Sequence, residues 1–88
     1  MKVGFKTSFL KDISKITNKT TLKRIKAAIE SVEKTENLQN IADLKKVKGG
    51  DHYYRIRVGE YRIGLLVPED TCIFVRCLHR KDVYRYFP

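Results

Sequence analysis

Val3 and Phe5 alternate with Lys2, Gly4 and Lys6, the period-two pattern of a short strand with one buried face. Phe9, Ile13 and Ile16 then recur at helical spacing, with Thr7 or Ser8 available as a cap, before Thr17-Asn18-Lys19 breaks the pattern. A second helix starts near Thr20 or Thr21. It carries Leu22, Ile25, Ile29 and Val32 on one stripe, with Lys23, Lys26, Glu30 and Lys34 outside it. After Asn37 the periodicity fades, and Leu38 to Gly50 reads as a connector. From there the period is two again: Tyr54, Ile56 and Val58 alternate with Arg55 and Arg57, and Tyr61, Ile63, Leu65 and Val67 alternate with Arg62, Gly64 and Leu66. Gly59-Glu60 between the two runs is the signature of a two-residue type II′ hairpin turn. Pro68 to Thr71 makes the next turn, and Cys72 to Leu78, apolar on both faces apart from Arg76, reads as an interior strand. The pattern predicts one α+β domain over residues 1–88. An N-terminal strand and a two-helix hairpin precede a three-stranded antiparallel meander, giving a four-stranded sheet covered on one face by the helices.

The predicted turn fixes a register. Val58 pairs with Tyr61, Arg57 with Arg62 and Arg55 with Gly64, so three arginines share one sheet face beside a glycine that leaves room for a ligand. Like charges placed opposite each other destabilise a strand pair, so this face reads as an anion site, the alternatives being a solvated face or a docking surface for an acidic chain. By strand parity, and without an intervening bulge, His79 falls on the Arg62 side, where an imidazole can shuttle a proton. Parity also places Arg76 with Phe74 and Leu78 on the core side, which an edge ion pair or a bulge would resolve. Tyr84 and Tyr86 are either anchors for the tail or neighbours of the arginines.

Charge sharpens this picture. Nineteen Lys and Arg against ten Asp and Glu give a formal net charge of +9, which favours polyanionic or acidic partners. Residues 1–43 hold eight lysines and one arginine, whereas residues 44–88 hold four lysines and six arginines. The arginine-rich half is the one suited to bidentate phosphate contacts and base stacking. Cys72 and Cys77 differ by an odd number of positions, so parity sends them to opposite faces as small, unbridged hydrophobes, in keeping with a reducing cytoplasm. The charged N-terminus holds neither a signal-peptide core nor a membrane span. Scattered carboxylates offer no metal site, and no cofactor is expected.

Three segments carry a resemblance: Leu44-Lys45-Lys46-Val47-Lys48-Gly49; Tyr53-Tyr54-Arg55-Ile56-Arg57-Val58-Gly59-Glu60-Tyr61-Arg62-Ile63; and His79-Arg80-Lys81-Asp82-Val83-Tyr84. Together with the helical hairpin they resemble the RelE/ParE superfamily of type II toxins across nearly the whole chain. The resemblance to the RelE branch implies an endoribonuclease that cuts messenger RNA in the ribosomal A site and is held inactive by a cognate antitoxin, here expected to be acidic and to fold on binding. It also implies an active surface at Arg55, Arg57, Arg62, Arg80 and Tyr84. Arg57, Arg62 and Arg80 are then the charge clamp, Tyr84 stacks or orients, and His79 manages a proton. Lys46, Lys48, Arg55, Lys81 and Arg85 hold the RNA. Arg55 and Arg57 stand where well-known RelE members carry lysines, and arginine is a poor general base. A ParE-like toxin that binds DNA gyrase, and a catalytically silent antitoxin-binding relative, are the alternatives.

Overall fold

A computed structural model describes residues 1–88. The elements are β1 (Lys2–Phe5), α1 (Thr7–Ser14), α2 (Lys19–Lys34), β2 (Leu44–Lys46), β3 (Tyr53–Val58), β4 (Tyr61–Leu66), β5 (Thr71–His79) and the one-turn α3 (Val83–Tyr86). They form a five-stranded sheet in the order β1-β5-β4-β3-β2, with β1 parallel to β5 and the other pairs antiparallel. The sheet therefore has one strand more than the hydrophobic pattern predicts. The extra strand is β2, inside the expected connector: three residues are too few to show a period, and only pairing to β3, with Leu44 opposite Ile56 and Lys46 opposite Tyr54, defines it.

Phe9, Ile16, Ile25 and Val32 from the helical side close over Ile56, Val58, Ile63, Leu65, Cys72, Phe74 and Cys77 of the sheet to make one core. Burying a side chain such as Phe9 or Ile63 stabilises the fold by about 1.5–3 kcal/mol. The Asn18 side chain accepts from the Thr21 N–H and starts α2. At α1 the expected cap fails. Lys6 occupies the cap position without a side-chain bond, while the Ser8 hydroxyl donates instead to the Val75 carbonyl at 2.6 Å.

That bond marks an irregularity with wide consequences. Gly64 pairs with Arg76 and Leu65 with Phe74, so Val75 is an extra residue in β5, a bulge. β1 ends beside it, and α1 takes over the exposed strand edge. The Lys6 N–H donates to the Phe74 carbonyl at 2.9 Å, and the Asp12 carboxylate accepts from the Cys77 N–H at 2.9 Å. Arg76 reaches the same carboxylate through Nε at 2.8 Å and Nη2 at 3.0 Å. The Asp12 hydrogen bond pushes the Arg76 pKa further up.

One extra residue inverts the strand's parity beyond it. Cys77, opposite Ile63, joins Cys72 on the core face rather than the opposite one; both thiols are free and buried. Arg76 leaves the core side, and its ion pair and the bulge together account for it. His79 lands opposite Tyr61, on the helix side, and not with Arg62. No helix is long and apolar enough to cross a membrane.

Candidate active site on the open face of the sheet

The hairpin forms in the expected register: Val58 opposite Tyr61, Arg57 opposite Arg62 and Arg55 opposite Gly64. Gly59 has φ +57°, the left-handed geometry that the first central residue of a type II′ turn requires, and Glu60 has none. Arg57 and Arg62 avoid each other by turning apart. Arg57 Nη2 donates to Asp43 Oδ1 at 3.0 Å, while Arg62 Nη1 donates to the Gly59 and Tyr61 carbonyls, each at 2.9 Å. Asp43 is itself held in the left-handed region, φ 61°, and its carbonyl accepts the Arg57 N–H at 3.2 Å. The residue before β2 is thus pinned to Arg57 through backbone and side chain.

Gly64 does leave room, but the chain's own tail fills it. A Cβ at Gly64 would stand 2.6–2.7 Å from three atoms of the Phe87 ring, so the ring lies directly on the glycine backbone. Arg55 and Arg76 pair with Gly64 from either side, completing a row across three strands. Tyr84 covers Arg55, with the guanidinium 4.8 Å from the ring centroid, and Tyr86 lies 5.9 Å from Arg76. Neither tyrosine anchors the tail, since both are exposed; Val83 and Phe87 are the buried anchors.

Asp43, Lys45, Arg55, Arg57, Arg62 and Tyr84 line one shallow cavity of about 330 Å³. Four cations face a single carboxylate there, an arrangement with a strong preference for an anion. An adjoining cavity of about 370 Å³ shares Lys45, Arg55 and Tyr84 and adds Lys46 and Lys48. The structure therefore gathers Arg55, Arg57, Arg62 and Tyr84, with Lys46 and Lys48 alongside.

The other expected site residues lie elsewhere. Arg80 Nε meets Glu60 Oε2 at 3.0 Å at the hairpin tip. His79, displaced by the bulge, packs its ring 5.7 Å from that of Tyr61 and puts Nε2 3.9 Å from the same Glu60 oxygen. Lys81 and Arg85 line neither cavity. Two lining residues escape a reading of the sequence, Asp43 and Lys45. Lys45 shares the Arg55 side because it pairs with it across β2 and β3, which only the existence of β2 reveals.

Residues 3–84 match the family model described as the ParE toxin of the type II toxin–antitoxin system parDE. Toxin RelE3 of Methanocaldococcus jannaschii is 49% identical over 89 residues, covering all of both chains. In a crystal structure of a RelB–RelE antitoxin–toxin complex from Methanococcus jannaschii, a chain 46% identical superposes with a TM-score of 0.81, over 97% of this chain and 99% of that one. The YoeB dimer from Staphylococcus aureus, 20% identical, shares the fold with a TM-score of 0.73 over 91% of this chain and 97% of that one. With a family match over most of its length and a relative of nearly half its residues identical from end to end, the chain belongs to the RelE/ParE superfamily of type II toxin–antitoxin toxins.

Proposed function

We propose that this toxin is an endoribonuclease that cleaves messenger RNA, positioned in the ribosomal A site, and that an acidic antitoxin folding on its basic face holds it inactive. The convergence of Lys45, Arg55, Arg57 and Arg62 on one cavity beneath an exposed tyrosine carries the reading. The RelB bound to a related toxin from Methanococcus jannaschii supports the partner.

RNA supplies its own nucleophile. The 2′-oxygen attacks the adjacent phosphorus, the bond to the 5′-oxygen breaks, and a 2′,3′-cyclic phosphate and a 5′-hydroxyl result. Arg57 and Arg62 neutralise the charge gathering on the non-bridging oxygens, and Arg55 with Tyr84 stacks on a base and aligns the attack. Arg80, close by the hairpin turn, exchanges its Glu60 partner for a flanking phosphate. Arginines stay protonated, so the proton from the 2′-hydroxyl needs another acceptor. Asp43 is the one carboxylate on the cavity wall. When Arg57 turns to the phosphate, it frees Asp43 to take that proton, and water protonates the leaving 5′-oxygen. His79, on the other side of the sheet, stays outside the chemistry.

Mapping RNA 5′ ends and timing cleavage test this scheme. Arg62→Ala lowers the cleavage rate by about 10² or more, the usual effect of losing one charge-stabilising donor. Asp43→Asn lowers it by about 10²–10⁴, as expected for a general base. Full cleavage by Arg62→Ala overturns the site. The description of the matching family model as a ParE toxin favours one other reading, a non-nuclease that inhibits DNA gyrase. Toxicity with DNA-damage signalling and intact messenger RNA selects that reading.

A further inference from the structure

The seat formed by Gly64 has no part in the cleavage scheme, yet it is a closely fitted contact on the open face. The Phe87 ring lies on it with 4% of the residue exposed, and the Tyr53 ring meets Phe87 edge-on with centroids 5.6 Å apart. Four residues earlier, Val83 is 1% exposed. Val83 and Phe87 are thus two pins on one side of α3, and the Phe87 N–H closes the turn onto the Val83 carbonyl at 2.9 Å. A helix of four residues does not persist on its own, because nucleation costs more than so few bonds return. The geometry of α3 therefore depends on its pins.

Tyr84 depends on the same geometry. It precedes Phe87 by three residues, is 80% exposed, and faces the Arg55 guanidinium with its ring centroid at 4.8 Å. A cation–π contact this exposed is too weak to fix a ring by itself. Arg55 is also the residue paired with Gly64, so the seat and the arginine under Tyr84 belong to one rung of the sheet.

We propose that Phe87 is a positioning residue: its ring, docked on Gly64, holds α3 so that Tyr84 stands over Arg55 at the mouth of the anionic-substrate cavity. The role in rate rests on the nuclease reading, whereas the docking itself does not. A side chain at position 64 would evict the ring, which gives the glycine a reason that no turn supplies, since Gly64 lies mid-strand.

Two measurements on the full-length chain test this. In single-turnover cleavage at saturating RNA, Phe87→Ala and Gly64→Ala each lower the rate by about 10²-fold, the scale of a misplaced catalytic group. Phe87→Leu, which still fills the seat, recovers most of the rate. In a Tyr84→Ala background, Phe87→Ala has no further effect, since both act through one ring. Independently, the Arg55 Nε–H resonance carries a ring-current shift from Tyr84 that disappears in Phe87→Ala and Gly64→Ala and persists in Phe87→Leu. Phe87 lies outside the main core cluster, and circular dichroism checks that the variants keep their fold. An Arg55 resonance unmoved by Phe87→Ala overturns the docking. An unchanged rate, or an equal loss with and without Tyr84, overturns the positioning role. A wild-type chain that cleaves no RNA overturns the nuclease reading and the role in rate together, and leaves the resonance to decide the docking.

Discussion

Arg57 opposite Arg62 is a residue pair that packing alone would not select, and each arginine relieves the repulsion by binding something that a phosphate could replace: a carboxylate for one, two carbonyls for the other. The pair is readable in the sequence because a period of two and a Gly-Glu turn leave only one register. Asp43 is not, because it stands where the hydrophobic pattern has faded and is placed by a left-handed backbone rather than by any motif. Elsewhere in the molecule single residues are kept uncharged. Burial pushes the Cys72 thiol up to about 11 and the Cys77 thiol up to about 12, from an ordinary 9.0. Above pH 9 the unfolded chain gives up these protons and the folded one retains them. Stability is therefore whole below pH 9 and drains away as pH rises toward 11–12. Urea midpoints measured across that range should decline less steeply for Cys77→Val than for the wild type.

Among the elements, β5 does most to decide where side chains go, and the strand is legible only up to its bulge. Its apolar run marks it as interior, and Arg76 within that run is the sole sign of irregularity. Nothing in a one-dimensional pattern marks Val75 as the extra residue, because the cause sits in α1: Ser8 and Asp12 supply the hydrogen bonds that β1 stops making. The misplacement of Cys77, Arg76 and His79 in a parity reading is one error with one origin. Asp12 is 8% exposed and accepts three hydrogen bonds. Asp12→Ala leaves the buried Cys77 N–H and a partly exposed guanidinium without their acceptor, and should cost about 1–3 kcal/mol, the range for an unsatisfied buried polar group. Chemical denaturation reads this as a fall in midpoint, and Asp12→Asn recovers part of it through the Cys77 bond. β2 is illegible for the opposite reason, being too short to have a pattern.

As a whole, the molecule measures 32 × 27 × 22 Å and puts all its helical cover but one turn on one side of the sheet. The cavities on the open side are shallow, so a ligand there is met from one side rather than enclosed, and the nuclease proposal accordingly needs the RNA to be presented by a larger body. Affinity for free single-stranded RNA should fall with salt at a log–log slope of about −3, as for four phosphates met by Lys45, Arg55, Arg57 and Arg62. A slope near zero in a binding titration would mean that the cations are not where RNA is held. The strand order has a separate consequence. β1 and β2 end the sheet, and their outer rows of N–H and C=O groups meet no further strand. Such rims are templates for fibrils, yet both are short and carry lysine: Lys2 on one, Lys45 and Lys46 on the other. Two copies approaching rim to rim meet like charge, so the same excess of positive charge disfavours edge-to-edge aggregation of the free toxin.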